Sequence, residues 1–188
     1  LDNDGEELLV SGGDGTTLIN FTYNDAAPWP ESADGDGFSL VAVFSGDPDQ
    51  PQNWRSSAGL NGNPGGEDSF SYAFWSEQNG LTSTSGDDPD GDGLNNLMEY
   101  AFGGDPLGSS AGIIPFGKLM PAEGGGIEAG FLTLDLRRRL GADDARLIVE
   151  SSGELKAWSN EVSAPELLRV INNGDGTETL TYRLGQPV

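Results

Sequence analysis

Apolar residues in this chain fall in short runs between turn-forming residues, and most of the runs alternate. Leu8-Leu9-Val10 lies between Asp4-Gly5 and Gly12-Gly13, and 16–23 alternates, with Ile19, Phe21 and Tyr23 on one face and Leu18, Asn20 and Thr22 on the other. Such period-two runs bounded by Gly and Asp predict half-buried strands. Pro28-Trp29-Pro30 must be extended, because proline fixes φ and restricts the residue before it. A second strong strand is expected over 38–44, with Phe38, Leu40, Ala42 and Phe44 sharing a face opposite Val41 and Val43. Asp47-Pro48-Asp49-Gln50-Pro51 is turn-rich, and Gly62 to Gly66 reads as a linker.

The pattern then changes period. Residues 70–79 predict a short helix, with Phe70, Phe74, Ala73 and Glu77 at helical spacing and Gly80 at the left-handed stop. Residues 94–102 predict another, striped by Leu94, Leu97, Met98 and Ala101 and ended by Gly103-Gly104 and Asp105-Pro106. From about 111 onward the reading is β again. Strands are expected over 131–139, with Leu132, Leu134 and Leu136 on one face, over 147–150, and over 166–171 and 178–184. The last two flank Asn172-Asn173-Gly174-Asp175-Gly176-Thr177, a hairpin signal.

Composition narrows the chemistry. Gly and Pro, at 29 and 11 of 188 residues, fit a folded, turn-rich chain. The 31 Asp and Glu against nine Lys and Arg give a formal charge of −22, which repels phosphate backbones and anionic membrane surfaces and suits divalent cations. With no Cys and no His, disulfides, the usual zinc ligands and the Ser-His-Asp and Cys-His catalytic sets are excluded. No apolar run approaches the roughly 18 residues of a membrane span. An opening at Leu1 rather than Met reads as a piece excised from a longer precursor, and truncation is also expected at Val188.

Residues 88–99 carry the strongest motif. Asp88-Pro89-Asp90-Gly91-Asp92-Gly93, followed five residues later by Glu99, fits the calcium-loop pattern D-x-[DN]-x-[DN]-G-x₅-E. Alternate residues of a tight turn aim Asp88, Asp90 and Asp92 at one centre, and Gly93 supplies the bend. The Leu94 carbonyl then points inward, Asn96 reaches the ion through a water, and Glu99 swings back from the helix with two oxygens. Calcium takes six to eight hard oxygen ligands, whereas magnesium demands a stricter octahedron. The competing account is a solvated acidic turn, against which the mutual repulsion of four carboxylates weighs. Asn95 at the eighth position and a helix ending well before the loop both argue against a paired, sensor-type EF-hand.

The segment from Asp88 to Asp105-Pro106 resembles a single thrombospondin type 3-like repeat of bacterial surface proteins, which implies structural calcium. The run Phe21-Thr22-Tyr23, Pro28-Trp29-Pro30, Ala33-Asp34-Gly35-Asp36-Gly37, Ser39-Leu40 and Asn53-Trp54-Arg55 resembles the second half of a bacterial lamin-tail domain, an immunoglobulin-like sandwich. That resemblance covers about residues 1–66 and implies a missing first half and exposed edge strands. The region after the loop is loosely similar to the β segments that follow calcium loops in Verrucomicrobia- and Planctomycetes-type surface proteins.

Other clusters have plainer explanations. Asp34-Gly35-Asp36-Gly37 lacks a Glu at the required distance and reads as a turn, as do Asp2-Asn3-Asp4-Gly5 and Asn173-Gly174-Asp175-Gly176. Arg137-Arg138-Arg139 could bind a sulfate or acidic polymer, but on a strand of so acidic a protein these side chains more simply pair with carboxylates. Trp29, Trp54, Trp75 and Trp158 are candidates for stacking on sugars or for core packing. No carboxylate pair stands out for glycoside hydrolysis.

The expectation is therefore a mainly β chain: two small or truncated sandwich-like units (1–68 and 111–188) joined by a helix–calcium loop–helix segment (69–110). It would be a non-catalytic structural or adhesion module of a larger secreted or cell-surface protein. Its partners would be Ca²⁺, other domains of the same polypeptide, and glycans or surface proteins, with no nucleic acid and no membrane insertion. The alternative is a carbohydrate-binding appendage of a secreted enzyme.

Overall fold

The computed structural model describes residues 5–43, 46–121, 130–159 and 165–184. The expected turn at Asp2-Asn3-Asp4, the Phe44 end of the second strand and the Val188 terminus lie outside them.

The chain is mainly β, with three antiparallel sheets and two short α-helices among the described residues. β1 (Glu7–Ser11) and β2 (Thr17–Thr22) form a hairpin in which Leu8 opposes Phe21. β3 (Leu40–Ala42) pairs with β4 (Trp54–Ser56), a strand too short to leave a periodic signal. Helices α1 (Tyr72–Gln78) and α2 (Asn96–Phe102) follow. The last sheet contains β5 (Phe116–Pro121), β6 (Gly130–Arg139), β7 (Glu166–Asn172) and β8 (Thr177–Arg183), in the order β5-β6-β8-β7. The hairpin at 172–177 forms as expected, with Gly174 and Gly176 in the left-handed region (φ 75° and 81°) that its turn requires.

Three expectations are corrected. Residues 147–150 form no strand; instead Leu147 and Val149 pack against the face built from Leu136, Leu167, Val170 and Leu180. In α1 the buried residue is Trp75, not Phe74, because Trp75 meets both Tyr72 and Tyr100 at ring-centroid distances of 5.6 and 5.4 Å. In α2 the stripe is buried only at Leu94 and Ala101: Leu97 and Met98 face solvent while Asn96, Glu99 and Tyr100 are buried.

Among the described residues, apolar side chains gather in three clusters. Phe21, Trp29 and Trp54 form the first, with Phe21 stacked on Trp54 at 5.0 Å. Trp75, Tyr100 and Ala142 form the second, and Leu136, Leu167, Val170 and Leu180 the third. Polar groups stitch them together. Arg55 is fully buried; its Nε and Nη2 fork Asp143 at 2.7 Å each, and its Nη1 reaches Asp68 at 2.7 Å. Buried Glu178 accepts from Arg138 and from the Ser56 N–H (3.3 Å). Pro30 bridges to Val170, so residues of the first stretch lie directly on the last sheet.

Candidate metal centre

The loop closes before any ion is considered. The Asn96 N–H donates to the Asp87 carbonyl (2.9 Å) and the Leu97 N–H to that of Ser85 (2.9 Å), which joins the segment entering the loop to the helix leaving it. Within the loop Gly91 and Gly93 adopt φ of 76° and 96°, so the backbone turns where side chains with a Cβ would be strained. Asp88 accepts from the N–H groups of Gly91 (2.8 Å) and Gly93 (3.0 Å), and Asp90 Oδ1 from that of Asp92 (3.1 Å). Asp92 accepts from the N–H groups of Leu94 (2.8 Å) and of Ser110 (2.5 Å), 18 residues on. These bonds hold one carboxylate oxygen of each of Asp88, Asp90 and Asp92 within 4.8 Å of the others.

Glu99 lies outside that mutual group but on the same side of the helix as Asn96, three residues earlier. Both are fully buried, and Leu94, whose carbonyl is the expected backbone ligand, has a buried side chain. The Asn96 amide is fixed by donating to Ser83 Oγ (3.0 Å) and the Thr84 carbonyl (2.7 Å), which leaves its oxygen as the free end. Among the described residues, Asn96 Oδ1, Asp90 Oδ2 and both carboxylate oxygens of Glu99 are buried without a hydrogen-bond donor. A buried, unpartnered acceptor is costly, by about 1–3 kcal/mol and more when charged. Four of them beside one loop are a set of hard oxygens that no protein donor meets at hydrogen-bond geometry.

The electrostatics agree. Burial, reinforced by the charges of Asp90, Asp92 and Asp105, pushes the Glu99 carboxyl up to about 7, with the nearby Ser110 only partly opposing it. Desolvation likewise raises Asp90, helped by Asp92 and Asp88, whereas the backbone N–H of Gly93 holds Asp88 below its ordinary value. Negative charge is thus concentrated and underneutralised, as a divalent cation site requires. The donor set, carboxylate and amide oxygens without nitrogen or sulfur, fits Ca²⁺ rather than a soft transition metal.

Local sequence spacing did not reveal Ser83, Thr84 and Ser110, which hold Asn96 and Asp92, or Arg139, which reaches the end of α2 from 40 residues away. The remaining candidates are absorbed by the fold. Arg137 pairs with Asp175 (2.9 Å), Arg138 with Glu178, and Arg139 with main-chain carbonyls. Trp29, Trp54 and Trp75 are buried, while Trp158 is 55% exposed beside a groove it shares with Leu132, Leu134 and Leu155. No described helix is long and apolar enough to cross a membrane. Comparison with protein-family models, curated proteins and solved structures finds no match to this chain.

Proposed function

We propose that residues 88–99 bind one Ca²⁺ through Asp88, Asp90, Asp92, the Leu94 carbonyl, Asn96 and Glu99. The chain then serves as a non-catalytic structural or adhesion module of a larger secreted or cell-surface protein. One observation carries the reading: α2 turns Asn96 and Glu99 inward, with their oxygens unpartnered, while Leu97 (45% exposed) and Met98 sit in water. Docking of Tyr100 against Trp75 sets the rotation of this seven-residue helix, and the acceptors it carries inward have a desolvation cost that an ion would remove. The lamin-tail-like and thrombospondin type 3-like motifs support an extracellular setting.

Calcium acts here as a staple. Its loop opens into α2, which packs against α1 and β6, so occupancy stiffens the junction between the first and last β stretches and helps space neighbouring domains of the polypeptide. Calorimetric titration of the chain with CaCl₂ tests this. Saturable one-site binding, at the roughly 10⁻⁴–10⁻³ M of extracellular modules or tighter, is expected. A flat titration at millimolar Ca²⁺ with an unchanged melting curve in chelator refutes it.

A further inference from the structure

The C-terminal end of α2, from the Glu99 carbonyl onward, is held by the sheet rather than by the loop. Arg139, the last residue of β6, donates from Nε to the Tyr100 carbonyl (2.8 Å) and from Nη2 to the carbonyls of Gly104 (2.8 Å) and Glu99 (3.2 Å). The Glu99 carbonyl also accepts from the N–H groups of Gly103 and Gly104 (2.9 and 2.8 Å). The helix end approaches the sheet so closely that a Cβ on Gly103 would stand 2.4 Å from Thr177 Cγ2. One on Gly104 would stand 3.1 Å from the Glu99 Cβ. Below the guanidinium lies Trp75, whose ring centroid is 5.7 Å from Arg139 Cζ.

We infer that Arg139 is a positioning residue for the calcium site: without touching the ion, its guanidinium fork clamps the Glu99 main chain and sets where the two Glu99 oxygens can reach. This rests on the calcium reading above and extends it to a residue 40 positions from the ligand. A planar fork serving three carbonyls from one rigid strand end is a task that lysine, a single flexible point charge, cannot reproduce. The coupling runs both ways. Calcium that fixes Glu99 also fixes Arg139, and with it the β6–β8 register at Arg139 and Thr177.

The test is calcium titration calorimetry on the full chain as wild type, as Arg139→Lys and as Arg137→Lys. The last is a control on the same strand face, where Arg137 serves Asp175 and Thr177. With charge conserved in both variants, Arg139→Lys is expected to bind Ca²⁺ roughly 10-fold or more weakly, the usual scale for losing an outer-shell support, and Arg137→Lys within twofold of wild type. Arg139→Lys that is folded and binds like wild type overturns the inference and leaves the calcium reading standing, whereas wild type that takes up no calcium overturns both. Should Arg139→Lys fail to fold, amide hydrogen exchange on the wild type decides. Slower exchange on adding Ca²⁺ at Leu140 and Thr177, beyond the loop, supports the clamp, and protection confined to 88–99 overturns it.

Discussion

Replacing Glu99 with Gln isolates the two opposing roles of one buried carboxylate. In the wild type, Ca²⁺ at 100-fold its dissociation constant adds about 2.7 kcal/mol to stability. For a chain of this size each kcal/mol moves the melting temperature by about 2–4 °C, so the expected rise on adding Ca²⁺ is about 5–11 °C. Glu99→Gln loses one of the two expected carboxylate oxygens and its charge, and that rise should fall to near zero. In chelator the sign reverses. The ionised Glu99 side chain is disfavoured by burial, its carboxyl raised from 4.5 to about 7. Its neutral isostere relieves a penalty on the order of 1–3 kcal/mol at pH 8, the lower figure allowing for water entering the loop. The Gln amide also brings N–H donors to a place where Glu99 offered only acceptors. Differential scanning calorimetry at pH 8, with excess chelator and then with excess Ca²⁺, should therefore show the variant melting above wild type in chelator and below it in calcium. A variant that melts lower in both, or that keeps the calcium shift, refutes the reasoning, because Glu99 would then be a structural acid rather than a ligand.

The same carboxyl predicts a pH dependence. Its folded value lies above the unfolded one, so the metal-free native state holds more protons than the unfolded chain between about 4.5 and 7. Its contribution to stability in chelator is therefore full below about 4.5 and lost as pH rises through about 7; subtracting Glu99→Gln urea denaturation curves from those of wild type isolates it. Asp88→Ala removes the acceptor for Gly91 and Gly93 together with a ligand, and should abolish the calcium shift while lowering the melting temperature even in chelator. Arg55→Met strands Asp68 and Asp143 without their buried partner and should cost about 3–5 kcal/mol in urea unfolding. Polysaccharide pull-down should show no retention of the protein. Retention lost on Trp158→Ala would favour a carbohydrate-binding role, since Trp158 is the exposed one of the four tryptophans.

The sequence by itself determined what depends on neighbours a few residues away. The spacing of Asp88, Asp90, Asp92 and Gly93 dictates a bend that converges three carboxylates, because turn chemistry and the 12-residue reach are local. Alternation in 131–139 and the Asn-Gly turn at 173–174 dictate β6 and the β7–β8 hairpin in the same way. β5 is not legible in the sequence, because Phe116-Gly117-Lys118-Leu119-Met120-Pro121 has no clean alternation and becomes a strand only by pairing with β6.

Only the tertiary structure decided which faces are inside. Helical periodicity marked Leu94, Leu97, Met98 and Ala101 as the buried side of α2; Leu94 and Ala101 are buried, but Tyr100 docks between Trp75 and Phe70 and turns Glu99 and Asn96 inward in place of Leu97 and Met98. Arg55 meets Asp143 across 88 positions and Arg139 meets Glu99 across 40. A local pattern sets the conformation of a segment, but the burial of a charge depends on counter-charges and carbonyls brought from distant strands, and no spacing rule encodes those.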